Sequence, residues 1–459
     1  MQEVSWNALW DTSWQELRAG KYSEEGACQF STDRGAYLEI PFGNLSARNT
    51  QDIGNAFLQG NEGIHYDYLF GIAQDGTQLV LCNVLSRGVK QSIPGSTCEK
   101  LIAPTLLASK KEFDPRTSIL SMRFELQFMR DWLGLKYNPK HKGTEYIFDM
   151  NTGKKSFPLF ISNQMCAEIR VGISKPTHSI SEIAFPYYCY IDIEYLRGKT
   201  LDEIWISDLW KLQSMFAFCF GKYPAILHAQ VKQYKGSEWI QVYRRTVHVD
   251  ENENLLANPP IPFSQLRRDG LLSMTERWFT LSPDCWNAAK ILTSLLGHWT
   301  MPLDLMLTAA TTMFESLIRA DRDPLFKEEE FNQLTNPILN VAHDKIHQRL
   351  KGLLELLKKP SYHMLLKEAY TESQPWSDRL IPQWKRFQEE QYKLRLSGAH
   401  GLGTEETAQI RIYHYHAQIV LGYIILMKRL GLSDETINCF EKSSFLNIAR
   451  QNISEYYSK

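Results

Sequence analysis

The chain has 459 residues, 43% of them apolar and 12% aromatic, with a formal net charge of −1. That length points to two or three domains, and that composition supplies packed cores and excludes extensive disorder. The near-neutral balance denies any global nucleic-acid signature, so RNA binding would have to rest on a local patch. Eight cysteines are scattered singly, without the C-x-x-C spacing of zinc or redox sites, and read as reduced, mostly buried thiols of a cytoplasmic protein. The longest apolar runs, such as Ile419 to Met427, are too short to span a bilayer, so no membrane partner is expected. The stretch from Met1 to Trp6 lacks the basic start and apolar run of a signal peptide.

From about residue 24 to residue 250 the pattern has period two. Leu120 to Phe128 alternates apolar and polar throughout, which predicts a strand with one face on a core and one face wet. Tyr37 to Ile40, Tyr66 to Ile72, Gln78 to Val84, Cys166 to Ile173 and Tyr190 to Tyr195 read the same way, with Asp75-Gly76 and Asn151-Thr152-Gly153 as turns. A helix over Leu201 to Phe218 is expected to cover a sheet. The Gly/Lys/Pro-rich stretch from Leu135 to Gly143 suggests a division into two antiparallel modules, 1–137 and 138–260. Three prolines within Asn258 to Pro262 end this half.

Beyond Pro262 the period becomes helical, giving a helical region over 261–459 with its core at about 300–459. Leu303, Met306, Ala310, Met313 and Leu317 mark one seam, and Leu339, Ile346, Leu350, Leu353 and Leu357, stopped by Pro360, a second. Leu380, Trp384, Phe387 and Leu394 form a third, with Gly398 placed to terminate it. A fourth starts at the N-cap Thr404, runs through Ile412, Ile419, Tyr423, Leu426 and Leu430, and stops at Gly431. A last helix covers Asp434 to Tyr456. The expected class is α+β, an antiparallel β-rich half followed by an all-α bundle.

Two places carry Arg-then-His spacing. Arg395 is read at a helix end and His400 in the turn beyond, freed by Gly398, Gly401 and Gly403. A histidine moves protons near neutral pH and an arginine stabilises charge on phosphate oxygens, so the pair suits phosphodiester chemistry without a metal. Its bland reading is a surface arginine favourable to the helix dipole plus a turn histidine. Arg411 and His416 lie inside one helix, well around the cylinder from each other, and His416 reads as a core or interface histidine. His343 and His347 stand at i and i+4 like a zinc helix, but Asp344 replaces the usual glutamate, no third ligand stands out and His343 shares an apolar stripe. Glu315 flanks the first seam. It is either solvated or a charge-assisted partner that orients Arg395.

With bundle and turn in hand, the C-terminal region resembles the HEPN domains, in particular the ApeA-like branch. The resemblance lies in Met313-Phe314-Glu315-Ser316-Leu317, Leu394-Arg395 with Ala399-His400-Gly401, and Met427-Lys428-Arg429-Leu430-Gly431-Leu432. The N-terminal half resembles the accompanying β-rich module through Gly35 to Ile40 and Leu126 to Gly134. The resemblance implies an anti-phage, abortive-infection-type endoribonuclease, independent of metal or any cofactor, with RNA, and tRNA in particular, as substrate. It implies a homodimer or dimer of dimers in which Arg395 and His400 meet across a two-fold axis, supported by Glu315 and with Ile419 and Tyr423 as surplus seam. It also implies a phage-derived trigger, with the sheet half gating the bundle. The residue after the arginine, usually polar in this family, is Leu396. The rival reading is a non-catalytic sensor or scaffold that binds a phage component or RNA.

Overall fold

A computed structural model describes residues 3–457 apart from 21–22, 44, 46–63, 93–95, 135–139, 143–144, 148–154, 174–176, 179–182, 185–186, 247–252, 298–300 and 401–407. The chain divides into two compact units. Met1–Trp210 and Pro224–Asn254 form the first, Lys211–Tyr223 and Leu255–Lys459 the second. The class is α+β, as the change of period predicts.

The first unit is built on β1 (Glu3–Asp11), β2 (Glu24–Ser31), β3 (Gly35–Ile40), β4 (His65–Ala73), β5 (Gln78–Ser92) and β6 (Ser96–Ala103). These pair antiparallel as β5-β4-β1-β2-β3-β6, and β5 also pairs with β6, so the six strands close into a barrel. Closure leaves no unpaired edge along the ring. Trp10, Phe30, Leu38, Leu69, Leu81 and Leu101 belong to its buried core. Trp10 lies opposite Gly71 in register, where a Cβ would come 2.8 Å from the indole. Any other residue at 71 would displace the ring.

The first half of β5 also pairs with β7 (Thr105–Ser109), and the sheet continues through strands β8 (Ile119–Leu126), β9 (Lys155–Ile161), β10 (Met165–Ile173), β11 (Tyr187–Lys199), β12 (Ile226–Lys232) and β13 (Ile240–Arg244). Their order is β7-β13-β12-β8-β11-β10-β9, within one 13-stranded sheet. The alternation in β8 buries Met122, Phe124 and Leu126 and leaves Arg123 to bind Asp192 at 3.1 Å. This topology corrects the division into modules 1–137 and 138–260. β8 sits between two later strands and β7 beside a third, because each strand needs both neighbours to satisfy its backbone. The Gly/Lys/Pro-rich stretch marks a connection within one sheet.

The second unit is helical: α1 (Trp210–Phe220), α2 (Phe263–Asp269), α3 (Leu271–Phe279), α4 (Pro283–Leu295), α5 (Leu303–Arg319), α6 (Glu328–Asn340), α7 (Asp344–Glu355), α8 (Tyr362–Ser373), α9 (Trp376–Leu380), α10 (Trp384–His400), α11 (Ala408–Arg429), α12 (Asp434–Glu441) and α13 (Ser444–Tyr457). The helix expected over Leu201 to Phe218 is shared between the units: its helical turns at Leu201–Glu203 and Ile204–Leu209 belong to the first, and from Lys211 onward α1 belongs to the second. Its Phe218 stacks on Tyr423 at 4.6 Å and meets Trp278 at 5.5 Å. α11 is the central helix, buried on almost every side from Tyr413 to Met427, so its apolar stripe has no single face. Gly431 ends it at φ 70°, with Leu432 N–H donating to the Met427 carbonyl at 3.0 Å and Gly431 N–H to the Lys428 carbonyl at 2.9 Å, the paired hydrogen bonds of a left-handed cap.

Two predicted helices are corrected. The third seam breaks at Ile381, which precedes Pro382 and takes a non-helical backbone, φ −130° and ψ 73°. α10 then runs past Gly398 to His400. The last helix is two, joined through Lys442 and Ser443. The predicted N-cap Thr404 lies outside the described residues. No described helix is long and apolar enough to cross a membrane.

Candidate active site

α5 is held in the bundle by Ala310, Met313, Phe314, Leu317 and Ile318, all buried. Glu315 therefore lies on the flank of that buried face and stays half-buried. α10 packs through Phe387, Gln391 and Leu394, which sets Arg395 opposite Glu315. Arg395 Nε donates to Glu315 Oε2 and Nη2 to Oε1, both at 2.9 Å. The guanidinium also lies over the Tyr362 ring, 4.8 Å from its centroid. Arg319, one turn on from Glu315, donates to the same carboxylate at 3.0 Å.

This arrangement fixes Arg395 by a parallel pair of charge-assisted bonds and an aromatic floor. Burial raises the Glu315 carboxyl, yet the hydrogen bonds and charges of Arg395 and Arg319 outweigh it and hold the group below its ordinary range. Two cations share one carboxylate, so the cluster keeps a net positive charge. Glu315 occupies two of the five guanidinium donors of Arg395 and leaves three for an incoming anion.

His400 closes the same helix, which corrects its placement in a turn beyond the helix end. Five residues along a helix put the two positions about 140° apart around the axis. The pair at Arg411 and His416 has the same relation. Within one chain, then, helical geometry alone does not bring either pair together. The side chains of 396–400 and the glycines 401 and 403 lie outside what is described.

Behind Arg395 a polar network runs through the core that sequence reasoning missed. Gln391 Nε2 donates to the Tyr362 hydroxyl at 3.4 Å, and Gln391 Oε1 accepts from Gln418 at 2.9 Å. His414, fully buried, faces Gln391 Oε1 with Nδ1 at 2.9 Å and Glu390 with Nε2 at 3.1 Å. Arg386 and Tyr456 also donate to Glu390. Burial raises the Glu390 carboxyl, but these partners bring it down to about 2. One sequence signal was available: Gln391 falls on the third seam, four residues after Phe387 and three before Leu394.

The rival residues have structural roles. Arg411 donates to Asp304 at 2.6 Å. Ile419 and Tyr423, expected as surplus for a dimer, are buried within the chain. His343 is not on an apolar stripe. It is exposed and caps α7, its Nδ1 accepting the Lys345 N–H at 3.2 Å. Among the described residues no three His, Cys, Asp or Glu side chains converge as metal ligands would. A cleft of about 550 Å³ beside Arg277, Arg322 and Arg429 lies elsewhere in the unit. Glu372 binds two of these arginines at 2.9 and 3.0 Å, an ion-pair network that ties α8 to the end of α11.

Burial pushes the His416 pKa down to about 4 from an ordinary 6.5. A histidine depressed on folding favours the native state above its unfolded pKa, and that advantage disappears as pH falls through the window to the folded value. The protein should thus be less stable at pH 5 than at pH 7.5, His416 contributing on the order of 1–2 kcal/mol, and His416→Gln should reduce the difference, leaving the part due to His414, which burial also depresses. An unchanged pH slope in the variant would exclude His416 as its source.

Residues 6–270 match the family ApeA N-terminal domain 1. The match spans the barrel, the rest of the sheet and the first helices of the second unit. No curated protein and no solved structure matches the chain.

Proposed function

We propose that this chain, which belongs to the ApeA N-terminal domain 1 family and so to a family of anti-phage defence proteins, is a metal-independent endoribonuclease acting on RNA, and on tRNA in particular. The observation that carries the reading is Arg395, held at 2.9 Å by both oxygens of Glu315 with three donors still available. A phosphodiester presents two oxygens to such a fork, and the net positive cluster stabilises charge that grows on them as a ribose 2′-OH attacks. His400 takes the 2′-OH proton and, as the imidazolium, gives it to the departing 5′-oxygen, which leaves as a hydroxyl. The products are a 2′,3′-cyclic phosphate, or the 3′-phosphate from its hydrolysis, and a 5′-hydroxyl. Because α10 carries both residues on divergent faces, the working pair is Arg395 of one copy and His400 of another, in a homodimer or dimer of dimers. A phage-derived trigger acts through the sheet unit, which gates the bundle.

The test is the full chain incubated with total tRNA in excess EDTA, with end-labelling of the fragments. Cleavage leaving 5′-hydroxyl ends supports the proposal, and DNA, lacking the nucleophile, should survive. Intact RNA under every condition, with tight RNA or protein binding instead, would favour the sensor or scaffold.

A further inference from the structure

We infer that the sheet unit holds a binding site for a small organic monoanion, an apolar body that carries one carboxylate or phosphate group. The site is a cavity of about 250 Å³ lined from one face of the sheet. Tyr68 of β4, Cys82 of β5, Thr105 of β7 and Arg244 of β13 are direct cross-strand neighbours, so their side chains stand in one row on that face. Leu107, two residues beyond Thr105, and the opposed pair Val231 and Ile240 continue it as an apolar wall. The connection from β7 to β8 closes the cavity with Phe113 and Arg116, and the turn after β11 does so with Leu201 and Asp202.

Three features set this cavity apart from a packing gap. β5 pairs with β7 as far as Cys82 and with β6 from Leu85, and between them Asn83 takes a left-handed backbone, φ 57°. The segment after the Asp202 turn, Ile204–Leu209, is π-helical and sets the Trp205 ring 5.0 Å from the Arg244 guanidinium. Distortions of both kinds gather at functional sites. Buried Thr105, in the middle of the row, makes no side-chain hydrogen bond among the described residues.

Charge names the class of ligand. Arg244 is engaged, donating to Asp202 at 2.8 Å. Arg116 lies over the Tyr68 ring, 5.5 Å from its centroid, and forms no ion pair among the described residues. Its planar fork is therefore free for a carboxylate or a phosphate. Nearby carboxylates are turned elsewhere. Asp114 accepts the Arg116 N–H at 3.0 Å, Glu203 the Thr200 N–H at 2.7 Å, and Asp67 stands on the other face of β4. Burial pushes the Cys82 thiol up to about 12, so the floor is neutral. Two lining guanidiniums face one lining carboxylate, and a single anion completes the balance. The volume takes an apolar body of about a dozen heavy atoms at the packing of a protein interior. The inference stands on the sheet unit alone, independently of the ribonuclease reading.

Saturation-transfer NMR titrations of the full chain with phenylacetate, phenyl phosphate and the neutral phenylacetamide test it. The better anion should bind with a Kd of about 1 mM or tighter, within reach of an efficient ligand of this size, and the amide about tenfold more weakly. Which anion binds better tells carboxylate from phosphate. Arg116→Ala should weaken the anion about tenfold with its melt unchanged, because the side chain is exposed. Thr117→Trp, at the exposed mouth, should block binding and so place the probe in this cavity. Arg34→Ala, in the exposed turn between β2 and β3, should bind like wild type. Neither anion saturating below about 10 mM, an amide that binds equally well, or wild-type binding by the Arg116 or Thr117 variant would each overturn the site. RNA cleavage enters none of these readouts, so the enzyme can fail and the site remain.

Discussion

Replacing Arg395 by alanine is expected to lower RNA cleavage by about 10²–10³-fold while leaving the fold intact. The chemical loss is large because two parallel bonds and an aromatic ring position the guanidinium, with donors left for phosphate. The structural cost is small because Glu315 keeps Arg319 at 3.0 Å and is not left as an unpaired half-buried carboxylate. Arg395→Lys should recover only part of the activity, since an ammonium cannot hold Glu315 through two parallel bonds. His400→Ala should lose a similar amount, within the 10²–10⁴-fold range typical of general acid–base groups. Arg411→Ala serves as control: its partner Asp304 is largely exposed and the pair is worth little. Tight loss in the Arg411 variant with full cleavage by the other two would move the chemistry one helix onward.

The second large effect is on stability. Tyr423→Ala should destabilise the helical unit by about 3–5 kcal/mol, the usual cost of deleting a buried aromatic side chain. Tyr423 is completely buried. Its ring stacks on Phe218 of α1 at 4.6 Å and on Phe440 of α12 at 4.9 Å, so one truncation loosens three helices. Denaturant melts of the full chain measure this directly. A variant with a wild-type melt but altered oligomeric state would return Tyr423 to an interface between copies.

What could be read from the sequence followed from pattern strength. β3, β4, β8 and β10 lie where strict alternation puts them, because one wet face and one dry face write themselves into every second residue. The first seam and Gly431 were equally legible, and Glu315 could be named as a partner for Arg395. Sheet order was not legible: backbone hydrogen bonding joined β7 and β8 to strands from beyond residue 187, and such pairing leaves no composition signal. The turn assigned to Gly398 failed because one glycine lowers helix propensity by only about 1 kcal/mol, too little to stop a helix already running from Trp384. His414 escaped notice because α11 is buried all round, so a polar residue there does not interrupt any stripe. The second seam failed as a bundle seam: it spans the break between α6 and α7, and no residue of α7 is buried within the chain, which periodicity alone cannot reveal.

The placement of α1 bears on how such a protein can be inherited. Thirteen residues, Lys211–Tyr223, leave the sheet unit's stretch of sequence, complete the helical unit, and are followed by a return to the sheet at Pro224. A single genetic crossover near residue 260 would therefore hand on a bundle without Phe218, leaving Tyr423 and Trp278 facing a void. The two units cannot be exchanged as beads on a string. Any new sheet unit must arrive with a replacement for that helix, so diversification is expected in the loops and faces of the sheet, with the junction itself carried down intact.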